Sequence, residues 1–126
     1  MEKLIVINRF YDFSEWDKMV KNKVLLVELK EDIERIREIM YTLKTTADYM
    51  VRWRIDRIPS VFLWFLINIF EEARQCMHGY YRTRASQIIK ELHERTYKKN
   101  TIPKKLWLSI KNYADEVLKI IDETKH

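Results

Sequence analysis

An all-α fold, an antiparallel helical bundle with one long central helix and a short N-terminal extension, follows from three observations. The chain of 126 residues has one glycine and two prolines, which leaves few positions suited to the tight turns of β-hairpins. Hydrophobic residues make up 47% of it, enough to fill the core of one domain. Three long stretches repeat apolar residues every three or four positions, the spacing that puts them on one face of a helix. A single domain is expected over 1–126, with 1–28 an extension carrying a short helix and 29–126 the bundle core.

In chain order, Leu4 to Phe13 is apolar and β-branched at Ile5, Val6 and Ile7, and reads as an extended segment packed on the bundle. With no second convincing strand, no sheet is expected. Ser14 followed by Asp17 resembles a capping box, so a short helix is placed from Glu15 to Asn22. Lys23 to Leu29 is either a strand or the lead into the next helix. From Glu31 to Ile55, Ile33, Ile36, Met40, Leu43, Ala47, Met50 and Val51 form an apolar stripe, with Glu31 and Arg35 spaced for an ion pair. Arg52, Arg54 and Arg57 gather at its end, where cations complement the helix dipole. Pro59 then breaks it, because the residue before a proline avoids helical geometry.

The stretch from Pro59 to Leu92 reads as one long helix, with Pro59 in its first turn. Its first half is apolar nearly all round, from Phe62 to Phe70, and asks for cover on several sides. Its second half narrows to Ile69, Ala73, Cys76, Tyr80, Ile88 and Leu92. Gly79 sits at the change, and in mid-helix it marks a kink, a close backbone approach or the end of a shorter helix. Thr101 reads as the next N-cap with Pro103 in the first turn, opening a last helix striped by Leu106, Ile110, Tyr113, Ala114, Val117 and Ile121.

Several function classes drop out. Cys76 is the lone cysteine, so no disulfide framework exists and the reducing cytoplasm is the expected compartment. The apolar run over 58–70 is too short and interrupted to span a bilayer, and the N-terminus does not read as a signal peptide. The three histidines, His78, His93 and His126, lack metal-ligand spacing, and Cys76 and His78 would not share a helix face. One glycine cannot build a phosphate loop. No catalysis, cofactor, metal or small-molecule substrate is expected. Charged residues, 34% of the chain, suit a thermophile, an archaeal one among them.

The charge is unevenly spread. Nine basic residues against two acidic ones between Arg74 and Lys105 give a surplus of seven, so the remainder sits at −2 under the total of +5. Within that segment Arg82, Arg84, Arg95, Lys98, Lys99, Lys104 and Lys105 are candidates for holding an anionic partner such as nucleic acid. The aromatics Trp53, Trp64, Phe65, Tyr80, Tyr81 and Trp107 exceed what one small bundle is expected to bury, and such residues favour interface centres.

Two family resemblances rest on these residues. The run Arg74-Gln75-Cys76-Met77-His78-Gly79-Tyr80 resembles the Arg…His-x-Tyr signature of HEPN ribonucleases, with fewer residues between Arg74 and His78 than in that family. A longer stretch is similar to the helical domain of the GINS replication subunits. It comprises Leu29, Asp32 and Arg35-Ile36-Arg37-Glu38, then Glu72-Ala73-Arg74, then Tyr80-Tyr81-Arg82-Thr83-Arg84 with Ile88, Ile89 and Leu92. Gln87 stands where that family commonly has Lys, and its small β domain has no counterpart after Ile121. The GINS resemblance implies a non-catalytic assembly subunit of a DNA replication complex associated with the helicase. It also implies a homo- or hetero-oligomer whose interface includes Trp64, Tyr80, Tyr81, Arg82 and Arg84. The alternative is a basic helical nucleic-acid-binding protein, such as a small CRISPR effector subunit or an archaeal viral coat protein, with the seven cations on phosphates.

Overall fold

The stripe from Ile33 to Ala47 becomes helix α1, Asp32–Arg52, in a computed structural model that describes residues 3–7 and 23–124. Three further helices follow, α2 (Ser60–Gln75), α3 (Tyr80–Thr96) and α4 (Lys104–Glu123). Helix takes 69% of the described residues. The remaining regular structure among the described residues is a three-stranded sheet, β1 (Leu4–Val6), β2 (Leu25–Val27) and β3 (Met77–His78), in that order.

Charge pairs show the direction of the helices. Arg37 meets Asp122 at 3.3 Å, Lys44 meets Asp115 at 2.9 Å and Lys111 meets Asp48 at 3.0 Å. Every step forward along α1 is matched by an equal step back along α4, so the two run antiparallel with their charges in register. The Arg35 guanidinium goes to Glu72 of α2 rather than to Glu31. Beneath this seam Ile36, Met40, Leu43 and Ala47 pack with Ile110, Tyr113, Ala114 and Val117 in one core.

The long central helix of the sequence reading is not one helix. It ends at Gln75, passes through β3 and restarts at Tyr80, so α2 and α3 form an antiparallel hairpin. Gly79 adopts φ 73° and ψ −143°, a combination that a Cβ makes very costly and that is essentially reserved for glycine. Gly79 marks the break between two shorter helices, standing at the N-cap of α3, while α2 has already closed at Cys76. Arg74 fastens the hairpin, with its guanidinium on Glu71 at 2.6 Å and on the Ser86 hydroxyl at 3.4 Å.

The fold is therefore not purely helical, and the extended N-terminal segment is part of a sheet. β1 and β2 run parallel with Leu4 opposite Leu25 and Val6 opposite Val27, while β3 lies antiparallel on the other edge of β2. The third strand was hidden inside the expected helix, and it completes the sheet that two isolated strands could not. Because side chains alternate across a strand, Leu25 and Val27 join the helical core while Leu26 packs with Ile7 and Val24 on the opposite face. The short helix expected from Glu15 to Asn22 lies outside the described residues.

The start of α2 is not enclosed as its all-round hydrophobicity suggested. Leu63, Leu66 and Ile67 are buried, but Val61 is 83% exposed and Trp64 and Phe65 are each 46% exposed. No helix among the described residues is long and apolar enough to cross a membrane.

Candidate nucleic-acid interface

The four helices of the described residues alternate in direction, so the end of the molecule opposite the sheet carries the α1–α2 and α3–α4 connections. Backbone pairing ties these two loops together. Arg57 and Thr101 form a β-bridge, Ile58 N–H donates to the Asn100 carbonyl at 3.2 Å, and Ile102 N–H donates to the Asp56 carbonyl. The Trp107 indole N–H donates to the Ile55 carbonyl at 3.1 Å, and the Asn100 side-chain amide donates to the Ser60 hydroxyl at 2.7 Å. Thr101 is used in this pairing rather than as a helix cap, and α4 starts after Pro103 with no side-chain cap.

This stitching brings together cations 38 to 53 positions apart in sequence. The segments 52–57 and 95–105 contain Arg52, Arg54, Arg57, Arg95, Lys98, Lys99, Lys104 and Lys105 against one acid, Asp56. That is a surplus of seven, which leaves the rest of the chain at −2. All but the half-buried Arg95 are exposed. Arg52 pairs with Asp48 at 3.1 Å, and the other seven make no ion pair among the described residues.

Local geometry at this end runs against ordinary preferences in two ways. The end of α1 closes with Arg54 N–H on the Val51 carbonyl at 3.2 Å and Ile55 N–H on the Met50 carbonyl at 2.9 Å, the Schellman pattern. The left-handed position of that motif usually holds glycine, yet here Arg54 occupies it at φ 55°. Lys99 and Asn100 likewise sit at φ 56° in the other loop. At the start of α4, Lys104 and Lys105 occupy the first turn with no acidic residue there. The exposed N–H groups of a helix start favour an anion, and two lysines add to that field rather than offset it.

Exposed aromatic surface lies on the same end. Trp53 is 64% exposed with Tyr49 at 6.2 Å between ring centroids, and Tyr97 is 90% exposed. Between the end of α1 and the start of α4 a cleft of about 410 Å³ is lined by Met50, Val51, Ile55, Pro103 and Trp107, with Arg54, Asp56 and Lys104 also on its walls.

The residues singled out from sequence divide accordingly. Arg95, Lys98, Lys99, Lys104 and Lys105 fall at this end. Arg82 and Arg84 lie at the far end of α3, roughly 20 Å away at 1.5 Å per residue. Arg84 reaches the Tyr80 hydroxyl at 3.4 Å, and Tyr80 is half-buried under the Lys23 ammonium, 5.6 Å from its ring centre. Tyr81 is a core residue at 2% exposure, with its hydroxyl toward Glu116 and its carbonyl accepting from the Tyr113 hydroxyl at 2.8 Å. Burial holds both phenols well above the usual tyrosine range. Trp64 meets the His93 ring edge-on at 5.5 Å on the α2–α3 face.

The residues of the ribonuclease-like run have structural partners. Arg74 holds Glu71 and Ser86, and His78 Nε2 pairs with Glu28 of the β2 edge. Cys76 closes α2 and His78 stands in β3, so the two do not share a helix. Burial and then the Asp32 carboxylate push the Cys76 thiol up. Among the described residues no cluster of three His, Cys, Asp or Glu suits a metal ion.

Sequence reasoning missed Trp53, Arg54, Asp56 and Arg57 as members of this surface. The Arg-Trp-Arg pattern was legible, but as helix-dipole complement; only the bridge to Thr101 places it beside the lysines. No protein-family model matches the chain, and no curated protein or solved structure matches it either.

Proposed function

We propose that this chain is a non-catalytic nucleic-acid-binding protein that grips the phosphate backbone at the loop end of its helices. The observation that carries the reading is the gathering of eight cations from two distant segments, seven of them outside any ion pair among the described residues. Such a concentration repels itself unless an external polyanion offsets it. The exposed Trp53 and Tyr97 suit base stacking. Binding is tested by fluorescence anisotropy with a labelled single strand of about 30 nucleotides at salt from about 50 to 300 mM. Tight binding that falls steeply with salt is expected, and a strand that stays free at low salt overturns the reading.

A second reading has its own support. Val61, Trp64 and Phe65 leave apolar surface along α2, of the kind that subunit interfaces bury. In that reading the chain is an assembly subunit of a replication complex, as the likeness to GINS implies. A salt-resistant oligomer in light scattering that ignores nucleic acid favours it over the first.

A further inference from the structure

The cleft between α1 and α4 differs from the open basic surface around it, because it contains the one acid of the loop end. Asp56 is exposed, and its carboxylate makes no hydrogen bond or ion pair among the described residues although Arg54 and Arg57 flank it in sequence. A surface built only to attract phosphate gains nothing from a carboxylate. The position itself is held firmly, since the Asp56 carbonyl accepts from Ile102 N–H and the neighbouring Ile55 carbonyl accepts from the Trp107 indole. The other walls are the half-buried Met50, Val51, Ile55 and Pro103, which leave some apolar surface in the cleft, with the buried Trp107 behind them. Arg54 and Lys104 stand on the same walls, so a base in the cleft has cations beside it for its own phosphates. At about 410 Å³ the cleft is within the range of small-ligand sites.

From these walls we infer that the cleft takes one unstacked guanine of a single strand, with Asp56 reading its pairing edge. Guanine alone among the common bases sets two N–H donors side by side on that edge, matching the two oxygens of a carboxylate. Adenine and cytosine set an acceptor beside their donor, and thymine flanks its donor with acceptors, so each brings a lone pair toward Asp56. In a duplex the same edge is already paired, so the cleft selects single strands. This inference rests on the nucleic-acid reading of the loop end and deepens it.

The test compares labelled thymidine decamers with decamers carrying one central guanine, adenine or cytosine, by anisotropy at about 100 mM salt. The guanine strand is expected to bind about tenfold more tightly than the others, the discrimination typical of one bidentate base contact. Annealing it to its complement is expected to remove that advantage. Asp56→Asn is expected to bring the ratio of guanine-strand to thymidine-decamer affinity down to about one; Asp56→Ala, checked for helical content, repeats the result without any acceptor. Equal affinity for all four strands overturns the guanine slot and leaves the basic-end reading standing. A preference that survives in both variants, or in the duplex, overturns Asp56 as the reader. If no strand binds at all, the basic-end reading falls with it.

Discussion

The two ends of the molecule solve the same problem of reversing a chain in opposite ways. At the sheet end the turn between α2 and α3 needs a positive φ, and the single glycine of the sequence supplies it at Gly79. At the loop end three residues adopt positive φ, and they are Arg54, Lys99 and Asn100. Two of those three are bulky cations in a conformation that costs a side-chain-bearing residue about 1–2 kcal/mol. Three charge pairs run in register along the α1–α4 seam: Arg37–Asp122, Lys44–Asp115 and Lys111–Asp48. Charges at the loop end, save Arg52, make no ion pair among the described residues. One end is arranged for stability; the other keeps strain and repulsion that its own fold does not relieve, which is where an external partner has something to contribute.

The largest effect expected from this contrast is on binding. Replacing Lys98, Lys99, Lys104 and Lys105 by Gln removes about four phosphate contacts, lowering the steepness of the salt dependence by about 3 and the affinity at about 50 mM salt by roughly a hundredfold. Thermal stability should hold or rise, since the four lysines make no ion pair among the described residues. The pair Arg82→Gln and Arg84→Gln, roughly 20 Å away, should leave the salt slope unchanged. If the two sets weaken binding equally per charge, the loop end is not a distinct surface.

At the opposite end the expected effect is on folding alone. Gly79→Ala forces a Cβ into the φ 73°, ψ −143° conformation and should cost about 1–3 kcal/mol, read from the urea midpoint. The affinity of the folded fraction should not change.

Arg54→Gly combines both readouts in one residue. Relief of the left-handed strain in the α1 cap should raise stability by roughly 1 kcal/mol, while loss of one cation from the cleft should weaken single-strand binding several-fold. A stabilised variant with weaker binding is the signature of a residue kept for function rather than for the fold. Unchanged stability would show that the φ of 55° carries no cost.

What could be read from sequence follows the range of the interactions involved. The stripes of α1 and α4 were legible because Ile33 to Ala47 and Leu106 to Ile121 repeat with helical period, and those residues are buried where the period put them. The hairpin was not, because the apolar pattern runs on through Cys76 and Tyr80 with no proline to stop it, and one glycine can serve a kink or a reversal equally well. The sheet was missed for a related reason: Met77 and His78 are two residues long as a strand and become one only against Leu26 and Val27. The candidate site was half legible. Its lysines and Arg95 stood out as a run, whereas Arg54, Asp56 and Arg57 belong to it through the Arg57–Thr101 bridge, a pairing across 44 positions that no local pattern encodes.

The smallest effect is the pH response of the paired charges along the α1–α4 seam. The hydrogen bond and charge of Lys111 hold the Asp48 carboxyl below its ordinary value of 3.8, and those of Asp115 hold the Lys44 ammonium above 10.5. A carboxyl lowered by folding contributes stability that is present above its unfolded value and lost as pH falls through its folded one. A raised ammonium contributes stability that is complete below its unfolded value and lost as pH rises through its folded one. Stability from the seam should therefore be level between about pH 5 and pH 10 and decline beyond both limits. Both groups are solvent-exposed, so the change is modest and screened by salt. In urea titrations Asp48→Asn should flatten the acid limb and Lys44→Gln the alkaline limb. An acid limb that Asp48→Asn leaves intact would place the titrating group elsewhere and deprive the seam of its part in the contrast.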